Sequence, residues 1–589
     1  MPSIFRSLFL PLLAGVAAAT NNTTIATNAT AATSATINPQ WTLVQNGTTG
    51  ILANQMIIVS PTLALLFDLA GTGGPLQING KSAWGALYDL ETNTPRAIDV
   101  VSDTFCASGS ILSNGTMVSV GGDYIEELSE AFNAENGTNA VRIFEPCDTP
   151  DGSGCELYDD PAVIHLTVPR WYPSSVRIYD GSLIVVGGSF NFSFFYNTFT
   201  ENSFEFWPPK DNGAQTCSRA CSPSPDGTIF MISGNQTIIY DIEKKTETRL
   251  PDLPNNVKIA NPFDGTAQML PLSPPDYIPE VVACGGTTTT EGILPIQLSS
   301  QDPASSQCSR ITLTPEGIKQ GWAVEHMPEQ RMLPEMLHLP TGELLIINGG
   351  QTGYSGFDGV YDPVGNSNAD HPNYTPTLYN PTAPLGQRMS KEGLPTSNIA
   401  RMYHSTVTLT PSGSFMIAGS NPNIRQNLTV PYATEYRVEH LSPPYMSLER
   451  PILSNVPAKV AFNTEFTINI QIPHVPALVN PEIKGKSFSN SCHNNGLTHR
   501  EVALMDLGYS SHSFHSSARL VWLDATLEAD QKTLRLTSPP NNRIYPPGIA
   551  WIYVTIADRY VSAGSRIMIG NGASPPVQDQ GKQMSWPKL

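Results

Sequence analysis

The sequence predicts an all-β protein, a seven-bladed β-propeller followed by a β-sandwich, and three observations carry that expectation. Only 14% of the 589 residues are charged, while 46 are Gly and 51 are Pro, a composition of short strands and tight turns rather than long surface helices. An apolar stretch closed by Gly-Gly, or by a glycine beside a serine, recurs through most of the chain. Beyond it the repeat stops and alternating strand patterns take its place.

At the N-terminus, Arg6 precedes an apolar run from Leu8 to Ala19 that is too short to span a bilayer, so residues 1–19 read as a signal peptide. Residues 20–40 are almost all Thr, Asn, Ala and Ser, which cannot bury a core and are expected to form a glycosylated lead-in. N-x-[ST] sequons begin at Asn21, Asn22, Asn28, Asn46, Asn114, Asn136, Asn191, Asn235, Asn373 and Asn427. No second apolar stretch approaches the ~20 residues of a membrane helix. The C-terminal QMSWPKL carries no anchor-like tail. A secreted, extracellular glycoprotein is the expectation.

Residues 41–440 hold the repeat: NGTMVSVGGD (114–123), DGSLIVVGGS (180–189), DGTIFMISGN (226–235), IPEVVACGGT (278–287), TGELLIINGG (341–350) and SGSFMIAGSN (412–421). The first glycines, at 121, 187, 234, 285, 349 and 419, lie 66, 47, 51, 64 and 70 residues apart. A period near fifty with insertions fits kelch-type blades. The glycines permit tight bends where strands meet. A seventh blade is expected from MIIVSPTLALLFDL (56–69), closed by a strand from the other end of the domain. An unrelated sandwich with glycine turns is the alternative. Residues 441–589 carry alternating strands split by Pro, Gly and Asn turns, expected to form an immunoglobulin-like β-sandwich.

A net charge of −18 argues against nucleic acid or an anionic membrane as partner. The eight cysteines suit an oxidising compartment. Three pairs are close in sequence, Cys147 with Cys155, Cys217 with Cys221 and Cys284 with Cys308; Cys106 and Cys492 remain and could pair with each other.

Five residues then stand out: Cys106 in FCASGS, Tyr172 in PRWYPS, Tyr403 and His404 in ARMYHS, and His512 in SHSFHSS. Imidazole and oxygen donors suit Cu(II) and its tetragonal preference. Each also has a plainer reading. Cys106 reads equally as a small core hydrophobe, and Tyr172 as core packing with a bonded hydroxyl. Tyr403 and His404 are neighbours, and neighbours in a regular strand face opposite ways, so both reach one metal only at a strand end, bulge or loop. His512 competes with His515, three residues on; in a strand only one of them faces the metal.

The strings FCASGSILSNGTMVSVGG, RWYPSSVRI, SNIARMYHSTVTLTPSG and SHSFHSSARLVWLD, with the repeat and the C-terminal strands, resemble the copper radical oxidases over nearly the whole mature chain. The glyoxal oxidase branch is the better match, galactose oxidase a more distant one. The resemblance implies one copper ion and a protein-derived Cys106–Tyr172 radical cofactor joined by a thioether. Tyr172 would also be an equatorial ligand, Tyr403 the axial ligand and general base, and His404 and His512 the imidazole ligands. Phe190, following the glycine pair in VVGGSF, would shield Tyr172 where galactose oxidase has a stacking tryptophan, which speaks against galactose as substrate. Read as an ordinary blade residue, it carries no role. Arg401 would donate its planar fork to a substrate oxygen.

The resemblance further implies O2 and small aldehydes such as glyoxal and methylglyoxal, taken as hydrates, or α-hydroxycarbonyls. The products are carboxylic acids and H2O2, with peroxide-consuming enzymes as downstream partners and a monomer as the default state. A primary or aryl alcohol oxidase with the same centre is the nearer rival. A catalytically silent glycan- or protein-binding propeller is the rival of another class.

Overall fold

The computed structural model describes residues 39–577 apart from 125–131, 148, 192–194, 212, 217–219, 224–225 and 474–501. The signal peptide, nearly all of the lead-in, the first three sequons, the Cys217–Cys221 pair and Cys492 fall outside the described residues. The other seven sequon asparagines are all partly or fully exposed. No helix among the described residues is long and apolar enough to cross a membrane.

Strands dominate, and each of the six glycine motifs forms the second strand of a four-stranded antiparallel sheet. The motif strands Met117–Val120, Leu183–Val186, Leu344–Ile347 and Phe415–Ala418 are buried on both faces, which is why they read as continuous apolar runs rather than alternating ones. A further sheet is built on Gln55–Ile58, Leu63–Phe67, Gly85–Asp89 and Thr94–Ala97, in the 56–69 region expected to supply a blade.

Closure differs from the expectation. The strand at the far end of this region, Arg437–Ser442, does not join the 56–69 sheet; it stays with Thr406–Leu409 and Phe415–Ala418, and Thr42–Thr48 from the N-terminal end pairs with it there. The 56–69 sheet is instead extended to six strands by a hairpin, Tyr509–Ser511 with Phe514–Ser516. The Gln55–Ile58 edge of that sheet is thereby paired, which an apolar open edge requires.

Beyond residue 450, two sheets lie on one apolar core. One contains Ile452–Ser454, Glu465–Gln471, Thr533–Thr537 and Asp524–Leu527; the other is centred on Gly548–Ile556. Ile468 and Ile470 of the first sheet and Leu504, Ile552 and Ile567 of the second share that core, the alternation expected of strands with one face inward. Cys147–Cys155 and Cys284–Cys308 form disulfides, and Cys106 is the free cysteine among the described residues.

Candidate metal centre

The glycine repeat also builds the site. Cys106, Tyr172, Leu333 and His404 each stand two residues before the first strand of a sheet, and each has a positive φ, 59°, 56°, 62° and 61°. Left-handed backbone is costly for side chains of this size, and such residues collect at functional sites. The turn aims their side chains inward from strand ends. Glycines of the repeat make room for it: a Cβ on Gly419 would lie 2.3 Å from the His404 carbonyl oxygen, and one on Gly188 2.7 Å from that of Trp171.

His512 arrives by another route. The 509–516 hairpin runs in from the second half of the chain and pairs with Gln55–Ile58, with His512 and Ser513 as its two-residue turn. Both have positive φ, 48° and 65°, the type I′ geometry that matches strand twist. Gly109 lets the hairpin in, since a Cβ there would sit 2.7 Å from the Tyr509 ring.

These elements bring all five residues together. The Tyr172 and Tyr403 hydroxyls are hydrogen-bonded to each other. Donor atoms of Cys106, His404 and His512 lie within 4.8 Å of one another. The Cys106 thiol is buried in hydrogen-bond contact with Tyr172. The ring centroids of Tyr403 and His404 are 3.7 Å apart, and those of Tyr172 and His512 4.9 Å. Tyr403 and His404 occupy a turn before Thr406–Leu409, so the local irregularity their shared role demands is present.

The two imidazoles are oriented alike. His404 Nδ1 donates to the Asn421 carbonyl at 3.0 Å, and His512 Nδ1 is 2.7 Å from Ser511 Oγ. In both, Nε2 is buried and has no hydrogen-bond partner among the described residues. Burial holds both rings neutral: His404 is well below the usual range, with the neighbouring His512 adding to the shift, and His512 is pushed down to about 3. Burial likewise raises both phenols and the thiol well above their ordinary values. Two neutral imidazoles with unpaired nitrogens, facing phenols short of a cation, make a donor set that one Cu(II) would satisfy.

Two expectations need correction, and one alternative is closed. Phe190 is 49% exposed and its ring packs on Phe199, 5.8 Å away; the ring beside Tyr172 is Trp171, at 4.7 Å and tilted by 57°. Arg401 is buried, paired with Glu439 at 2.8 Å and donating to the Gly419 and Arg437 carbonyls, so its fork is already used. His515 is excluded because the segment is a hairpin rather than one strand. It faces Ser510 across the ladder and pairs with Glu335 at 2.7 Å. The sequence reasoning passed over Trp171, although it lies inside the PRWYPS string that drew attention to Tyr172.

Cys106, Trp171, Tyr172 and His512 open on a cavity of about 860 Å³ that also reaches Phe195, Tyr196, Asn261 and Asp264. Its size suits a small organic substrate with room for water.

A family model described as glyoxal oxidase N-terminus matches residues 78–445, and one described as galactose oxidase-like, Early set domain, matches 450–569. The chain is 30% identical over 495 residues to the aldehyde oxidase GLOX of Vitis pseudoreticulata, covering 79% of this chain and 82% of that one. It is 27% identical over 520 residues to the aldehyde oxidase GLOX1 of Arabidopsis thaliana, covering 83% and 75%. Among solved structures, a copper-bound fungal alcohol oxidase of the AA5 family superposes with a TM-score of 0.65 over 90% of this chain and 100% of that one; at 15% identity this is a likeness of fold.

Proposed function

The chain belongs to the glyoxal oxidase family of copper radical oxidases, and on that premise we propose that it is a secreted enzyme oxidising small aldehydes to carboxylic acids. Glyoxal and methylglyoxal are the proposed substrates, taken as hydrates: RCH(OH)2 + O2 gives RCOOH + H2O2. A seven-bladed propeller over 41–440 and an immunoglobulin-like domain over 441–589 are the architecture we assign. The observation that carries the reading is the pair of buried, unpartnered Nε2 atoms of His404 and His512 beside the joined hydroxyls of Tyr172 and Tyr403.

Tyr172, Tyr403, His404 and His512 would hold one copper ion. When bound, the ion supplies Lewis acidity and a one-electron couple, and a thioether-linked Cys106–Tyr172 supplies the second one-electron site. The remaining work is the protein's. Asn421 and Ser511 fix the imidazole tautomers so that Nε2 faces inward. Tyr403 takes the hydroxyl proton of the substrate, a role supported by its contact with the Tyr172 hydroxyl. Trp171 and Phe105 pack around Cys106, and the Trp171 ring covers one side of Tyr172, whose other side faces the cavity. Cover by an aromatic ring on that side shields a reactive intermediate.

Cys106, His404 and His512 are also the ligand types of a His2Cys electron-transfer copper site. The thioether separates the two readings, because a sulfur bonded to Tyr172 is no longer a thiolate. The deciding measurement is peptide mass spectrometry of the copper-loaded protein after disulfide reduction. The Cys106 and Tyr172 peptides are expected to travel together, two hydrogens lighter. A free Cys106 thiol would sink the radical mechanism. In the same preparation, His512→Ala is expected to lose stoichiometric copper and peroxide production.

A further inference from the structure

Asp264 is the one acid that the cavity wall buries and leaves half-used. It lies one residue before the strand Gly265–Met269, the first of its sheet, just as Cys106, Tyr172 and His404 precede the first strands of theirs. The residue is 5% exposed and lines the cavity shared with Tyr172 and His512. One carboxylate oxygen, Oδ2, takes both of its side-chain bonds, from Ser355 Oγ at 2.5 Å and Asn261 Nδ2 at 3.4 Å. The other, Oδ1, has no partner among the described residues, and no Lys or Arg pairs with this carboxyl there.

A buried carboxyl without a cation costs folding free energy, and a protein retains one where it has work to do. Burial pushes this one up to about 7. Tyr403, the proposed base, feels its charge, which places it in the electrostatic neighbourhood of the reacting centre.

Resting on the aldehyde-oxidase reading, we propose that Asp264 is a substrate-binding residue whose Oδ1 accepts the second hydroxyl of a hydrated aldehyde, so that the site selects gem-diols over simple alcohols. A gem-diol carries two hydroxyls on the reacting carbon, where a primary alcohol carries one. One hydroxyl must give up its proton during oxidation. The other stays, and a fixed acceptor in the cavity wall holds it and orients the C–H bond. Ser355 and Asn261 hold the carboxyl so that it needs no reorganisation when substrate arrives. The selection follows from an acceptor left unpaired by the wrong substrate, which discriminates more strongly than shape does.

A matched pair of ligands tests this without turnover. Trifluoroacetone is a gem-diol in water and has no hydrogen on the carbonyl carbon; trifluoroisopropanol has the same outline with one hydroxyl fewer. Binding of each is followed by tryptophan fluorescence in the copper-loaded protein, above neutral pH where Asp264 is the acceptor form. The wild type is expected to prefer the diol by about tenfold or more, as suits a hydrogen bond to a charged group. Asp264→Asn, which turns an amide N–H2 toward the cavity, is expected to abolish that preference while leaving copper content and the cupric EPR spectrum unchanged. Equal binding of the two ligands by the wild type, or an undiminished preference in Asp264→Asn, overturns the proposal. Should the variant fail to fold, the wild-type comparison still decides. Peroxide release from methylglyoxal, measured alongside, tests the oxidase reading separately: its absence sinks that reading whatever the diol preference.

Discussion

At the scale of single residues, a recurring contact between a buried arginine and a loop carbonyl of the glycine repeat explains the error over Arg401. Arg142, Arg170, Arg331 and Arg401 are all buried, and each donates through a guanidinium N–H to the carbonyl of Gly121, Gly187, Asn348 or Gly419, at or beside a first glycine of the repeat. Each also has an acidic partner: Asp159, Glu205, Glu329 and Glu439 respectively. Arg401 is thus a strut between loop and sheet. The string ARMYHS shows an arginine near two ligands but cannot show that all three guanidinium nitrogens are already engaged. Arg401→Met is expected to lower stability by about 3–5 kcal/mol by stranding Glu439, with KM unchanged in whatever folded protein remains. A raised KM at unchanged melting temperature would return Arg401 to the substrate site.

His338 belongs to the same scale. Its Nε2 donates to the Met269 carbonyl at 2.9 Å, and burial pushes it down to about 4. The folded protein therefore refuses a proton that the unfolded chain accepts near pH 6.5. Stability is full above that value and declines as pH falls toward 4, by about 3 kcal/mol in total from this group. Urea unfolding at neutral pH and at the acid end of this window, on wild type and His338→Asn, checks it. The acid loss is expected to shrink in the variant; an equal loss in both would mean the imidazole does not titrate there.

At the scale of elements, the 509–516 hairpin decides whether the centre is complete, and Glu335 seats it. Glu335 Oε2 accepts from Ser510 Oγ and His515 Nε2, both at 2.7 Å, and from the Val407 amide at 3.3 Å. One carboxylate so joins both arms of the hairpin to the first strand of another sheet, three residues past His404. Glu335→Ala is expected to cost stability on the order of 3 kcal/mol and to weaken copper binding through a misplaced His512. Glu335→Gln, which keeps an acceptor, should recover much of both. Loss of stability with intact copper affinity would confine Glu335 to the core.

This is also where legibility ends. The short strings disclosed Cys106, Tyr172, Tyr403, His404 and His512 because their chemistry is rare and local. The glycine motifs disclosed six second strands because buried strands are continuously apolar. Hairpin and closure were hidden, since the pairing of Met56 with Ser510 and of Leu43 with Leu441 joins residues hundreds of positions apart and leaves no local trace. The His512–His515 choice was framed as one strand for the same reason.

At the scale of the whole molecule, the two halves share what a two-domain protein would keep separate. One core cluster contains Met56 and Leu66 from the 56–69 sheet, Val407 and Phe415 from the sheet that Thr42–Thr48 closes, and Trp522, Trp551 and Tyr553 from the C-terminal strands. Polar ties run across it as well. Arg177 pairs with Asp506 at 2.6 Å, and the Tyr553 hydroxyl donates to the Thr410 carbonyl at 3.1 Å. Gly342 admits the Trp522 ring, which a Cβ would meet at 2.6 Å. Add the hairpin that crosses from one half into the other, and neither half can unfold without exposing the core of its neighbour. Calorimetry is therefore expected to show a single transition for the copper-loaded protein, with calorimetric and van't Hoff enthalpies in agreement. Copper removal should move that one transition downward as a whole, because a ligand held by residues from both halves stabilises both. Two resolved transitions, only one of them sensitive to copper, would mean that the halves fold separately and that the hairpin docks late. His512 would then be a ligand recruited by binding rather than one held ready by the fold.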